Sequence, residues 1–194
     1  MATGLVISKS IEVKDTTKVF GGDFGVKKRD GISEGISAWL LSSYQVTNTI
    51  TGSGGTGSCA GGLILNVGGS VGIMAGAMGG VLKGERSALY IKALALGISS
   101  VVYKVGGASV GVGVGAFVVT GAVGDPNLLY KSIRAGLVSQ GLAYTGMWSE
   151  KELRALSVGV VSLFTVGVSG GGIIVGTPTP SFVSTVNTPL KVLP

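Results

Sequence analysis

Histidine is absent from the 194 residues, and cysteine occurs once, at Cys59. Without an imidazole, neither a Ser-His-Asp nor a Cys-His nucleophilic site can be assembled. One cysteine excludes an intrachain disulfide framework and a cysteine-based zinc site. Within Gly57-Ser58-Cys59-Ala60-Gly61 it reads as a small buried residue rather than a reactive thiol. Charge is also scarce: 12% of residues are charged, against roughly 25% in an ordinary soluble chain. The acids are scattered, and only Glu150 and Glu152 are close. Positions two apart on a helix face different sides, so no paired-carboxylate site is expected, and no oxygen cage for a metal. Capping and solubility account for every acid. No catalytic, cofactor-binding or metal-ligating residue is assigned, no cofactor is expected, and the chain reads as a non-enzyme.

Aromatic residues are few (6%) and prolines number five, yet hydrophobic residues reach 45%. So little polar surface cannot cover a lone monomer; a membrane or other subunits must cover it. The formal net charge of +6 invites a nucleic-acid reading. The basic residues are dispersed, however. Lys27-Lys28-Arg29 is the densest run, and no basic stripe interleaved with aromatics appears, which argues against a nucleic-acid partner. The apolar stretch after Met1 is too short for a secretory signal, so an unprocessed protein made in the cytoplasm is expected.

What is abundant is glycine, 36 residues, without a collagen period and interleaved with Val, Ile and Leu. Glycine in that setting lets backbones approach closely, at an entropic cost that subunit contacts can offset. Gly52-Ser-Gly-Gly-Thr-Gly-Ser58 looks like a phosphate loop but lacks the Lys that ends one. No acid lies between Glu34 and Glu85 to serve a dinucleotide fingerprint.

The chain also repeats itself. Ser70 to Val101 aligns without gaps on Ser132 to Leu163, pairing Ala93 with Ala155, Leu94 with Leu156 and Gly97 with Gly159. A fainter copy lies around Ile36-Ser37-Ala38-Trp39-Leu40. Ser149 and Glu152 read as a capping box, followed by Leu153, Leu156, Val160 and Leu163 at helical spacing. Leu89, Ala93, Leu96 and Ser100 trace the matching face. Asp125-Pro126 reads as an N-cap with Pro at the first helical position, ahead of a stripe of Leu128, Leu129, Ile133, Leu137 and Val138. Val110-Gly-Val-Gly-Val-Gly115 and residues 166–175 alternate with a period of two and read as strands. Gly21-Gly22-Asp23 and Arg29-Asp30-Gly31 read as turns.

The expected fold is α+β: a duplicated helix–helix–strand unit with Gly-rich strands, a partial third copy and an extended N-terminal arm. The expected boundaries are arm 1–31, partial repeat 32–66, repeat A 67–121, repeat B 122–176 and an extended tail 177–194. Internal similarity of this period accompanies stacked or pseudosymmetric architectures. The Val/Gly strands, bare of Lys and Pro, are expected to form a subunit interface that Val112→Lys with Val114→Lys abolishes.

Ala93-Leu94-Ala95-Leu96-Gly97-Ile98, Ala155-Leu156-Ser157-Val158-Gly159-Val160 and Ile173-Ile174-Val175-Gly176-Thr177-Pro178 carry a resemblance. Together with the missing histidine and the low charge, these small-residue segments resemble virion structural proteins of tailed bacteriophages. The resemblance covers somewhat more than the C-terminal half. It implies a homo-oligomeric ring subunit of the neck, tail or baseplate, with itself and other virion proteins as partners and the virion as its location. The alternative is a Gly-zipper, membrane-associated or pore-forming protein. Gly72, Gly76 and Gly80 carry it, spaced as in closely packed membrane helices. Val67–Leu82 is short of the roughly 20 residues a span needs.

Overall fold

A computed structural model describes residues 18–42, 45–53, 57–64, 70–78, 81–110, 114–143, 145–166, 168–175, 181–184 and 189–192. Five helices make up its packed body: α1 (Gly22–Ser42), α2 (Ser70–Met78), α3 (Glu85–Ser99), α4 (Pro126–Ser139) and α5 (Met147–Val166). Each buries one stripe at helical spacing. In α1, Ile32, Ile36, Trp39 and Leu40 are fully buried, positions that fall on one face of a 3.6-residue helix. In α4 the buried stripe is Leu129, Ile133 and Leu137. In α5 it is Leu153, Leu156 and Val160. These stripes join Met74 and Met78 of α2 and Tyr90, Ile91, Leu94 and Ile98 of α3 in one core.

Glycine sets how closely the helices approach. A Cβ on Gly136 would stand 2.6 Å from the carbonyl oxygen of Ala93, and one on Gly97 would stand 2.7 Å from the backbone nitrogen of Ile133. The backbones of α3 and α4 therefore touch at two reciprocal points. Gly31 and Gly35 instead let side chains seat directly on the α1 backbone: a Cβ on Gly31 would reach Val81 Cγ2 at 2.9 Å, and one on Gly35 would overlap the Met78 side chain.

The α4 start follows the sequence reading. Asp125 is extended at φ −97°, its side chain accepts from Asn127 N at 2.8 Å, and Pro126 opens the helix. The α5 start does not. The helix opens at Met147, with Glu150 N donating to Gly146 O at 3.0 Å. Gly146, at φ +116°, makes the turn into the helix, and Ser149 lies within its first turn instead of capping it.

Seven extended segments also pair along the backbone: β1 (Gln45–Ser53), β2 (Gly57–Ile64), β3 (Tyr103–Val110), β4 (Val114–Val123), β5 (Val168–Val175), β6 (Ser181–Ser184) and β7 (Pro189–Val192). Their ladders are antiparallel. The first residue of β3, Tyr103, is fully buried in the same core.

The expected α+β fold with its duplicated helix–helix–strand unit is corrected: the packed body is helical, five helices with no α+β unit. The physical reason lies in what each segment can bury. A Val/Gly alternation has a side chain at only every second position, whereas the helices carry large apolar residues every three or four. The run 110–115 is moreover not one strand, since β3 ends at Val110 and β4 begins at Val114. Val112, one of the two positions expected to control assembly, lies outside the described residues.

The extended N-terminal arm is corrected as well. Residues 22–31 are the first turns of α1, and the turn reading at Arg29-Asp30-Gly31 fails with it. At Gly21-Gly22 a turn does lead into the helix, with Gly21 N donating to Lys18 O at 2.9 Å and Gly22 at φ +72°. Gly31 is a close-packing position, buried under Val81, and not a turn. Residues 1–17 lie outside the described residues.

Candidate functional site

Among the described residues, polar side chains converge where α1, α3 and α5 meet. Lys28 Nζ donates to both carboxylate oxygens of Glu152 at 2.8 Å, and the Tyr90 hydroxyl donates to Glu152 Oε1 at 3.1 Å. The Lys28 ammonium also stands 5.8 Å from the centroid of the Tyr90 ring. Side-chain exposure is 20% for Lys28 and 11% for Glu152, so most of the pair is out of water. A carboxylate so enclosed requires a counter-charge and hydrogen bonds, and it receives both.

Beside this cluster opens a cleft of about 180 Å³. Leu82, Leu142, Ala143 and the Tyr90 ring give its apolar lining, and Lys28, Arg86 and Ser87 its polar edge. Arg86 is exposed, and its side chain forms no hydrogen bond or ion pair with any other described residue.

A second cluster lies on the other side of α5. Arg154 donates to Glu150 Oε1 at 3.1 Å, as does the Tyr130 hydroxyl, and the Arg154 guanidinium stacks 4.3 Å from the Tyr130 ring centroid. These hydrogen bonds, from Arg154 first and then Tyr130, hold the exposed Glu150 carboxyl below its ordinary pKa. Tyr103 is the opposite case. Burial pushes its phenol well above the usual value, and its hydroxyl donates to Ile98 O at 3.1 Å.

In both glutamate clusters the carboxylate is met by a base and a phenol. Neither presents an unpaired nucleophile or a general base facing the cleft. Among the described residues no group of His, Cys, Asp and Glu is arranged to hold a metal ion. Gly52–Ser58 spans the end of β1 at Ser53 and the start of β2 at Gly57, with residues 54–56 outside the described residues. Cys59 falls within β2.

Glu150 and Glu152 do face different sides of their helix, as their spacing requires. The reading of every acid as cap or solubilising charge fails at Glu152, which is buried. Its position one turn after Trp148 and next to Leu153 placed it beside the apolar stripe. Its partner Lys28 is 124 positions away, and nothing local announces it. Comparison with protein-family models, with curated proteins and with solved structures finds no match.

Proposed function

We propose that this chain is a non-enzymatic structural subunit of a homo-oligomeric assembly, and that the assembly is a tailed-phage virion, at the neck, tail or baseplate. The virion and the partners within it rest on the sequence resemblance alone. The homo-oligomeric part has a structural observation behind it. Phe24, Val138, Met147 and Trp148 are 70%, 68%, 62% and 59% exposed, on a chain with few charges to offset them. Large aromatic and sulfur-containing side chains left in water are what subunit interfaces are enriched in, and a stable monomer gains nothing by exposing them. Paired acids in both glutamate clusters support a non-catalytic role.

The membrane alternative has less support. No helix among the described residues is long and apolar enough to cross a membrane. The helix bearing Gly72 and Gly76 has nine residues, where a span needs roughly 20.

Negative-stain electron microscopy of the purified chain, without detergent, tests the proposal. Particles of one size with rotational symmetry are expected. A field without particles at micromolar loading, or particles that form only with lipid, contradicts it.

A further inference from the structure

Trp148 stands largely in water. It lies one turn before Glu152 on α5, so the two share a helix face. Glu152 in turn binds Lys28 and Tyr90, which border the cleft. Through Glu152, the helix face that carries Trp148 is tied to two of the residues that line the cleft. Trp148 does not line the cleft of its own chain.

We propose that this region is a two-fold contact between copies of the chain, in which Trp148 of each copy inserts into the cleft of the other. The inference deepens the homo-oligomeric reading and rests on it. The chemistry of the two surfaces matches. The lining from Leu82, Leu142, Ala143 and Tyr90 is apolar, as an indole requires. Arg86, exposed and with no side-chain partner among the described residues, sits at the edge where a guanidinium can stack on the ring face. The indole already accepts a cation: Lys151 Nζ lies 5.2 Å from its centroid.

Charges also complement across the contact. Lys151 travels with Trp148. Glu85, next to Arg86 and exposed without an ion pair among the described residues, supplies the opposite charge on the second copy. A protrusion and a recess on one surface can satisfy each other in both directions only about a two-fold axis, where the same patch faces itself. Tryptophan, tyrosine and arginine are also the side chains that most often dominate interface energetics.

The chain carries its own probe. It has two tryptophans, and Trp39 is fully buried, so acrylamide quenching of fluorescence reports on Trp148. The measurement is quenching of the full-length chain across a dilution series, with mass followed by light scattering. In the oligomer neither tryptophan should be quenched, and one of the two should become quenchable as the mass falls. Trp148→Glu and Ala143→Arg, both at exposed positions, should each at least halve the mass at a concentration where wild type is assembled. Ala143→Arg should expose Trp148 as well.

An oligomer in which Trp148 quenches freely, or in which both variants keep the wild-type mass, overturns the two-fold contact and leaves the homo-oligomeric reading intact. A chain that is monomeric at every concentration overturns both. Shielding of Trp148 in such a monomer means that it closes on its own cleft.

Discussion

Lys28 and Glu152, on the first and last helices of the packed body, form a two-pronged ion pair at 2.8 Å to each carboxylate oxygen. Little water reaches it, and Tyr90 supplies a further hydrogen bond to Glu152. Removing one partner leaves a charge buried without compensation, which costs more than the intact pair contributes. Lys28→Met is expected to destabilise the fold by about 3 kcal/mol, read by urea denaturation. Adding Glu152→Leu should recover most of that loss. Losses that simply add show that the two charges are not coupled.

The backbone contact between α3 and α4 makes a second prediction with an internal control. Gly136→Ala drives a methyl against the Ala93 carbonyl, 2.6 Å away, and overpacking of this kind costs about 1–3 kcal/mol. Gly72→Ala, on the exposed side of α2 where nothing lies within 4 Å, should instead stabilise the helix by about 0.5–1 kcal/mol. Thermal unfolding of the two variants should shift in opposite directions. Equal shifts contradict the close crossing.

At the start of α4, Asp125 is the side chain that satisfies the Asn127 amide. Asp125→Ala should cost about 1 kcal/mol, with most of it restored by Asp125→Ser. A substitution to alanine that leaves the unfolding midpoint unchanged counts against the cap.

Glu150 provides a pH test. Its carboxyl is held below the ordinary glutamate value by Arg154 and Tyr130, so its contribution to stability is present above the unfolded-state pKa. That contribution fades as pH falls through the lower folded-state pKa. In a carbon-detected titration Glu150 should protonate below the ordinary glutamate range. Arg154→Met should move it back up toward that range. An unmoved midpoint assigns the shift elsewhere.

The features legible in the sequence were those whose cause is local. Asp125-Pro126 marks a cap because side chain, amide and ring lie within three residues. Leu129, Ile133 and Leu137 mark a buried face because their spacing repeats the helix. The same stripe over-reached at Leu128 and Val138, which are exposed; they lie at its edges, where only packing neighbours decide. On α3 the expected face included Leu96, which is 41% exposed. The core takes Tyr90, Ile91, Leu94 and Ile98 instead, because Gly97 brings α4 in against that side. Gly31 looked like a turn and is a contact, since a glycine in sequence does not reveal what lies over it. The α+β reading gave the Val/Gly alternation a structural weight that the helices carry. Lys28 with Glu152 was invisible for the simplest reason: the two meet only after folding.

The proposed function stands or falls on self-association of this chain. Sedimentation velocity of the purified 194-residue protein at micromolar concentration, without detergent, reads it. One discrete species at a multiple of the 19.3 kDa chain mass, dissociating on dilution, is expected. A single boundary at the monomer mass across the whole concentration range contradicts it.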